Sequence, residues 1–367
     1  MADLFEYLLW RGDLPFAQVP PNPVDTLICS ELAYIDYSGL VPGDFRNPVP
    51  LHVVAEAFLA LPDQESRVRV KKDIDLLASA AQTARFRNTK LVFYRSELLP
   101  EQESQFAAVT WLLDDGSALL SFRGTDLTMV SWKEDFNMSV QDCVPAQEKA
   151  LHDTRAFAMV HPLPLRLCGH SKGGNMAVYA AAKLQPEVQS RILSVYNHDG
   201  PGFGESMMGD AGYLDMVPRI QTFVPQSSVI GMLLEHEEPY TVIKSRQISI
   251  LQHEPYSWEV LGGDFIRVEE ITEDSRFLDK TIKTWLADKT LAERNEFVDA
   301  VYELLSMGDV DDPREIILPW NVLRYIKTLG EDEEIRKLII GEFTDLWRTA
   351  MQLKKAGEAA ALPEKTR

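Results

Sequence analysis

The stretch LRLCGHSKGGNMAVYAAAKL, residues 165–184, sets a serine between glycines at the spacing Gly169-x-Ser171-x-Gly173. A serine hydroxyl is a poor nucleophile, so an enzyme that uses one must expose it on a sharp strand-to-helix turn, beside a base and near backbone N–H donors. The flanking glycines let strand and helix approach closely and relieve the backbone at the serine. An apolar lead-in at 165–168 predicts the strand, and the alanine-rich run 173–185 predicts the helix. A bare G-x-S-x-G also arises by chance in ordinary turns; it is this context that makes Ser171 a candidate nucleophile for acyl transfer.

Such a serine has to be carried by a sheet. The clearest sheet signal is QFAAVTWLLDDGSALLSFRGTD, two apolar runs joined by Asp114-Asp115-Gly116, a good hairpin turn. Downstream the pattern predicts a helix over 145–160, the strand 165–168, the turn at Ser171, the helix 173–185, a strand at 191–196, a Gly-rich loop at 199–212 and a strand at 219–224. Helix and strand alternate, which implies a mostly parallel sheet flanked by helices. Residues 1–24 read as a short helix and a Pro-rich turn; helical spacing resumes behind Asp25, a plausible N-cap, and residues 51–90 also look helical. QISIL, 247–251, is a short strand-like run. Beyond about residue 273 apolar residues recur every three to four positions, predicting a C-terminal helical extension. The expected organisation is therefore a core over 1–265, a helical cap or extension over 266–357 and a disordered tail over 358–367.

The composition narrows the function classes. The chain has 367 residues, 45% hydrophobic and 9% aromatic, the balance of a globular protein, and no apolar run approaches the roughly 18 residues that a membrane span needs. An integral membrane protein is not expected. The formal charge of −19 repels phosphate backbones and no Lys/Arg cluster offsets it, so nucleic acid is not an expected partner. Cys29, Cys143 and Cys168 are an odd number without metal-type spacing, and the N-terminus lacks the features of a secretory signal; both point to a cytoplasmic location. There is no phosphate-binding glycine loop, no HExxH and no GxGxxG after a strand, and DVDDPRE lacks calcium-loop spacing. Neither cofactor nor metal is indicated.

GHSKGG preceded by SFRGTD and SWKEDF resembles the lipase class 3 branch of the α/β-hydrolases. More closely, FEYLLWRGDLPF, FRGTD, SWKEDFN, GHSKGGNMAVYAA, NHDGPGF, VPQSSVIGMLL and QHEPYSW resemble the Mbeg-like family of bacterial lipase-like proteins, over about residues 3–265. The resemblance implies an α/β-hydrolase fold and hydrolase chemistry, and names no substrate. In this fold the chain order is serine, acid, histidine, which leaves His198, His236 and His253 as bases. His253 is favoured because its loop directly follows the ISI run; the resemblance makes His170 structural. The class 3 pattern implies an Asp after the 219–224 strand, where this sequence has Ser227 and Ser228. Asp199, behind the strand next to the elbow helix, is the favoured acid, with Glu235 or a Ser-His dyad as alternatives.

Acyl transfer also needs donors for the tetrahedral oxyanion. The N–H of Lys172, the residue after the nucleophile, is the first candidate. The loop after SFRG resembles the lipase oxyanion loop, which makes Thr125 the second and Asp126 an alternate. Arg123, Lys133 and Asp135 read as an ion network bracing that loop. Met207, Met208, Met232, Leu233 and Leu234 could wall a pocket for an apolar acyl group, or simply pack beneath the helical extension. Two functions follow: a serine esterase or lipase-like hydrolase, with an acyltransferase as its chemical variant, acting on a small-molecule ester; or an inert ligand-binding or regulatory protein on the same fold. Substrate identity and oligomeric state are not encoded legibly.

Overall fold

A computed structural model describes residues 2–126, 128–138, 141–307 and 333–360. β1 (Val49–Pro50), β2 (Lys90–Leu99), β3 (Ser104–Leu112) and β4 (Ala118–Phe122) pair antiparallel in that order. β5 (Leu165–His170), β6 (Ile192–His198), β7 (Ile220–Pro225) and β8 (Tyr240–Ile243) then continue the same sheet, each parallel to its predecessor. A parallel step needs a crossover. α5 (Met129–Asn137) and α6 (Pro145–Val160) make the first, α7 (Lys172–Lys183) and α8 (Pro186–Gln189) the second, and α9 (Ala211–Met216) the third. The β3–β4 hairpin turns where expected, with Gly116 at φ 82° and the Asp115 carboxylate accepting from the Ser117 N–H at 2.9 Å.

Both faces of the sheet are covered, because its central strands are apolar on both sides. Val109, Trp111 and Leu119 face α1 (Leu4–Arg11), α2 (Pro23–Leu32), α3 (Leu51–Leu59) and α4 (Lys71–Ala80). Phe106, Leu120, Phe122 and Leu167 face α6, α7 and α9. The start of α2 differs from the expected cap: Asn22 is the N-cap, with its Oδ1 accepting from the N–H groups of Val24 and Asp25. Pro23 fills the first helical position, where a missing N–H costs nothing. Asp25 closes the capping box and also meets Arg85 in an ion pair whose side chains are 1% and 0% exposed.

Residues 51–90, expected to be helical, are α3, a 3-10 turn at Gln64–Arg67, α4 and a turn into β2. QISIL is not a strand: Ser249–His253 forms a 3-10 turn, with Ile248 and Leu251 74% and 59% exposed. A strand needs a partner edge, whereas here Gln252 closes the turn on itself, its Nε2 donating to the Gln247 carbonyl at 2.9 Å. After the hairpin of β9 (Val260–Leu261) and β10 (Asp264–Phe265) come α10 (Glu273–Ala287), α11 (Leu291–Met307) and α12 (Glu333–Ala360). α10 and α11 separate at Thr290, whose hydroxyl and N–H engage Glu293 in a new cap. Both pack against α12, and α11 also packs against α5. Residues 308–332 of the expected cap, including DVDDPRE, and residues 361–367 of the expected tail lie outside the described residues; residues 358–360 belong to α12. Among the described residues no helix is long and apolar enough to cross a membrane.

Candidate active site

The carboxyl end of β5 turns into α7 through Ser171, at φ 59° and ψ −134°, a conformation that a non-glycine residue adopts only when its surroundings enforce it. The N–H of Ser171 donates to the His198 carbonyl and the N–H of Gly174 to that of Ser171, both at 2.9 Å. A Cβ on Gly169 would sit 2.1 Å from the carbonyl carbon of Gly173, and one on Gly173 the same 2.1 Å from the Phe122 oxygen. The motif glycines are therefore demanded by backbone packing between β4, β5 and α7. Ser171 is 7% exposed, and its hydroxyl has no hydrogen-bond partner among the described residues.

Asp199 follows β6 immediately, at φ 54° and fully buried. Its Oδ2 lies 2.6 Å from His253 Nδ1, and its Oδ1 accepts from the Ser228 hydroxyl at 2.6 Å. With Nδ1–H donated to the carboxylate, the imidazole keeps its Nε2 lone pair for a proton. His253 ends the 3-10 turn beyond β8, its side chain 25% exposed. The ring of His170, the residue before Ser171, lies 4.5 Å from the His253 ring, centroid to centroid. His170 Nε2 donates to the His253 carbonyl at 2.9 Å, and Tyr34 donates its hydroxyl to His170 Nδ1 at 3.0 Å. Burial, with the nearby His253 and Arg69, holds the His170 imidazole well below its ordinary pKa, so it serves as a neutral strut. Arg69 extends the support by binding Glu254, next to His253, at 3.1 Å and the buried Glu31 at 2.7 Å.

The opposite side of Ser171 offers N–H groups. Lys172 opens α7, so its N–H has no intrahelical acceptor and points out of the positive end of the helix. Its ammonium is buried beneath α5, donating to Glu134 at 2.9 Å, to Gln105 Oε1 at 3.1 Å and to Ser131 at 3.3 Å. Thr125 lies in the loop after β4, its N–H without a described acceptor and its hydroxyl donated to Asp135. Gly124 presses that loop onto the elbow; a Cβ there would sit 3.1 Å from that of Ser171. The expected bracing network is instead three separate contacts. Arg123 pairs with Asp126 at 3.1 Å, Lys133 reaches Asp299 on α11, and Asp135 holds Thr125. Lys133 and Asp135 stand two positions apart on α5 and so do not face each other, and Arg123 lies before the helix, in the loop after β4. Burial pushes the Asp135 carboxyl up to about 6, with Lys172 opposing.

The remaining candidates lie elsewhere. His198 is buried among Tyr196, Phe223, Trp258 and Phe265, its Nε2 on the Thr26 hydroxyl at 3.0 Å, and burial lowers its pKa to about 3. His236 contacts the Gly231 carbonyl at 2.9 Å and Glu238 at 3.3 Å. Glu235 pairs with Lys283 of α10 at 3.2 Å. Met207 is buried against α7 and α9, with Met208 half-buried beside it; Met232 packs with Val224, Val242 and Ile271; Leu233 and Leu234 are half-buried. Two surface grooves, of about 450 Å³ between α3 and α4 and about 320 Å³ beside β8, are lined by none of the candidate site residues. No three His, Cys, Asp or Glu side chains among the described residues are placed to hold a metal ion. Sequence reasoning missed the supports Glu31, Arg69, Gln105 and Glu134, which carry no local motif, and treated Ser228 only as a missing acid.

A mostly parallel sheet covered on both faces, with a serine at a strand-to-helix elbow, defines an α/β-hydrolase fold. The chain belongs to the Mbeg1-like family, which matches residues 80–303. Among solved structures, lipase II from Rhizopus niveus is similar at 19% identity, covering 46% of this chain and 71% of its own, with a TM-score of 0.35. An MDLA variant from Penicillium cyclopium is similar at 13% identity, covering 66% and 83%, with a TM-score of 0.40. Rhizomucor miehei lipase with its propeptide is similar at 14% identity, covering 48% and 70%, with a TM-score of 0.34. No curated protein sequence matches the chain.

Proposed function

We propose that this protein is a serine hydrolase that cleaves a carboxylic ester through an acyl-enzyme on Ser171. The observation that carries the reading is the pairing of Asp199 with His253 at 2.6 Å beside the Ser171 elbow. Ser171 Oγ attacks the ester carbonyl while His253 Nε2 takes its proton, and Asp199 stabilises the imidazolium. The backbone N–H groups of Lys172 and Thr125 bind the oxyanion. Collapse breaks the ester C–O bond, and His253 returns the proton to the leaving alcohol. Water, activated by the same imidazole, then releases the acid; an alcohol in its place gives the acyltransferase variant. The substrate is a small-molecule ester with an apolar acyl group; Met207 and Met232 are taken up by packing away from the elbow. Residues 1–265 act as the hydrolase core, and α10, α11 and α12 as its helical cap or extension.

The rival reading, an inert ligand-binding protein, draws on the Ser171 hydroxyl having no described hydrogen bond to His253. A fluorophosphonate probe separates the two, because it reports an activated serine without the true substrate. The expected result is labelling of the wild type that disappears in folded Ser171→Ala and His253→Ala variants. An unlabelled wild type, beside a reactive esterase control, refutes the hydrolase.

A further inference from the structure

The acid of the proposed triad is held by a second strand end. β6 and β7 run parallel with His198 opposite Phe223, and the N–H of Asp199 donates to the Phe223 carbonyl at 2.8 Å. Three residues past β7, Ser228 is 2% exposed and donates its hydroxyl to Asp199 Oδ1 at 2.6 Å. That hydroxyl accepts from the Gly231 N–H at 3.1 Å, which leaves its single proton for the carboxylate. A Cβ on Gly231 would meet Asp199 Oδ1 at 2.3 Å, so the loop backbone itself closes over this oxygen. The Ser228 carbonyl accepts from Ser275 of α10, and its N–H donates to the Pro225 carbonyl at 2.9 Å, which fixes the residue from both sides.

We propose that Ser228 is a positioning residue that orients Asp199 toward His253, so that the ends of β6 and β7 act as one acid-bearing unit. The inference rests on the triad reading above. Without the hydroxyl, Oδ1 is a buried carboxyl oxygen lacking its hydrogen-bond donor, and the carboxyl group is free to rotate off the imidazole. The Ser228 Oγ stands 2.6 Å from Asp199 Oδ1, so a carboxylate at 228 can enter the space that Asp199 occupies once the side chain at 199 is removed.

The test combines steady-state hydrolysis of a p-nitrophenyl ester with the far-downfield proton resonance expected of an imidazole N–H bound to a carboxylate. Ser228→Ala is expected to lower kcat about ten- to hundredfold with little change in KM, and to shift or broaden the resonance; Ser228→Thr, which keeps the hydroxyl, is expected to restore both. Asp199→Gly, which suits the positive φ, should abolish the resonance, and Asp199→Gly/Ser228→Asp should recover part of it together with part of the activity. An active wild type whose kcat and resonance are unchanged by Ser228→Ala overturns this inference alone, as does an exchange variant that is folded but no better than Asp199→Gly. A wild type that shows the resonance, loses it in Ser228→Ala and yet labels with no fluorophosphonate overturns the hydrolase and leaves the hold of Ser228 on the pair standing.

Discussion

Gly173→Ala probes the elbow and the proposed oxyanion loop in a single step. The added Cβ would lie 2.1 Å from the Phe122 oxygen, 2.9 Å from the Phe122 carbonyl carbon and 3.1 Å from that of Arg123. Ordinary contact begins near 3.4 Å, so α7 and the end of β4 must part by more than about an ångström, in proportion to the overlap that packing forbids. All three obstructing atoms are backbone, and no side-chain rotation relieves them. The strain is expected to cost about 1–3 kcal/mol of stability, read from a urea unfolding curve. The functional effect is larger, because Phe122 leads directly into Arg123, Gly124 and Thr125. A displacement of about 1 Å between the Thr125 and Lys172 N–H groups is expected to slow fluorophosphonate labelling about a hundredfold, in protein that remains folded at the assay temperature. Gly174→Ala is the internal comparison, since its Cβ meets the Asn197 side-chain oxygen at 2.1 Å, on the side away from the oxyanion loop, and should cost stability with a smaller effect on rate. A Gly173→Ala protein that labels at the wild-type rate refutes the argument that backbone contact at this glycine sets the oxyanion geometry.

Two other perturbations read different parts of the molecule. Arg85→Met strands the Asp25 carboxylate, whose side chain is 1% exposed, and removes donors to the carbonyls of Leu14, Val19 and Pro20; a loss of about 3–5 kcal/mol is expected, and urea unfolding that shows less than about 1 kcal/mol counts against a structural role for the pair. Asp135, with its carboxyl raised from 3.8 to about 6 by burial, stays protonated in the folded chain through a range where the unfolded chain has already ionised. Its contribution to stability is present below that range and is lost as pH rises through about 6. The wild-type stability relative to Asp135→Asn should therefore decline across this window, and unfolding midpoints that give a constant or rising difference refute the assignment.

Much of the scaffold is written locally. The β3–β4 hairpin, α6 and the strand–elbow–helix around Ser171 occupy the expected stretches within a few residues, because a turn glycine, an apolar run and an alanine-rich helix each act on chain neighbours. QISIL fails as a strand because strand formation depends on a free neighbouring edge, which no local pattern reports, and the α2 cap moves to Asn22 because Pro23 can begin a helix that Asp25 only stabilises.

The sequence by itself determined the elbow, the residue types it demands and the set of imidazoles and carboxylates that could serve it. It left the acid open between Asp199, Glu235 and none. Only the tertiary structure decided which groups meet: Asp199 and His253 are 54 positions apart, Ser228 and Asp199 are 29 apart, and Tyr34 and His170 are 136 apart. Those contacts depend on how the ends of β6 and β7, the turn beyond β8 and the helices of one sheet face come together in space. Their spacing along the chain carries no local period, so the pairing becomes fixed only when the sheet assembles and the apolar faces of its helices are buried.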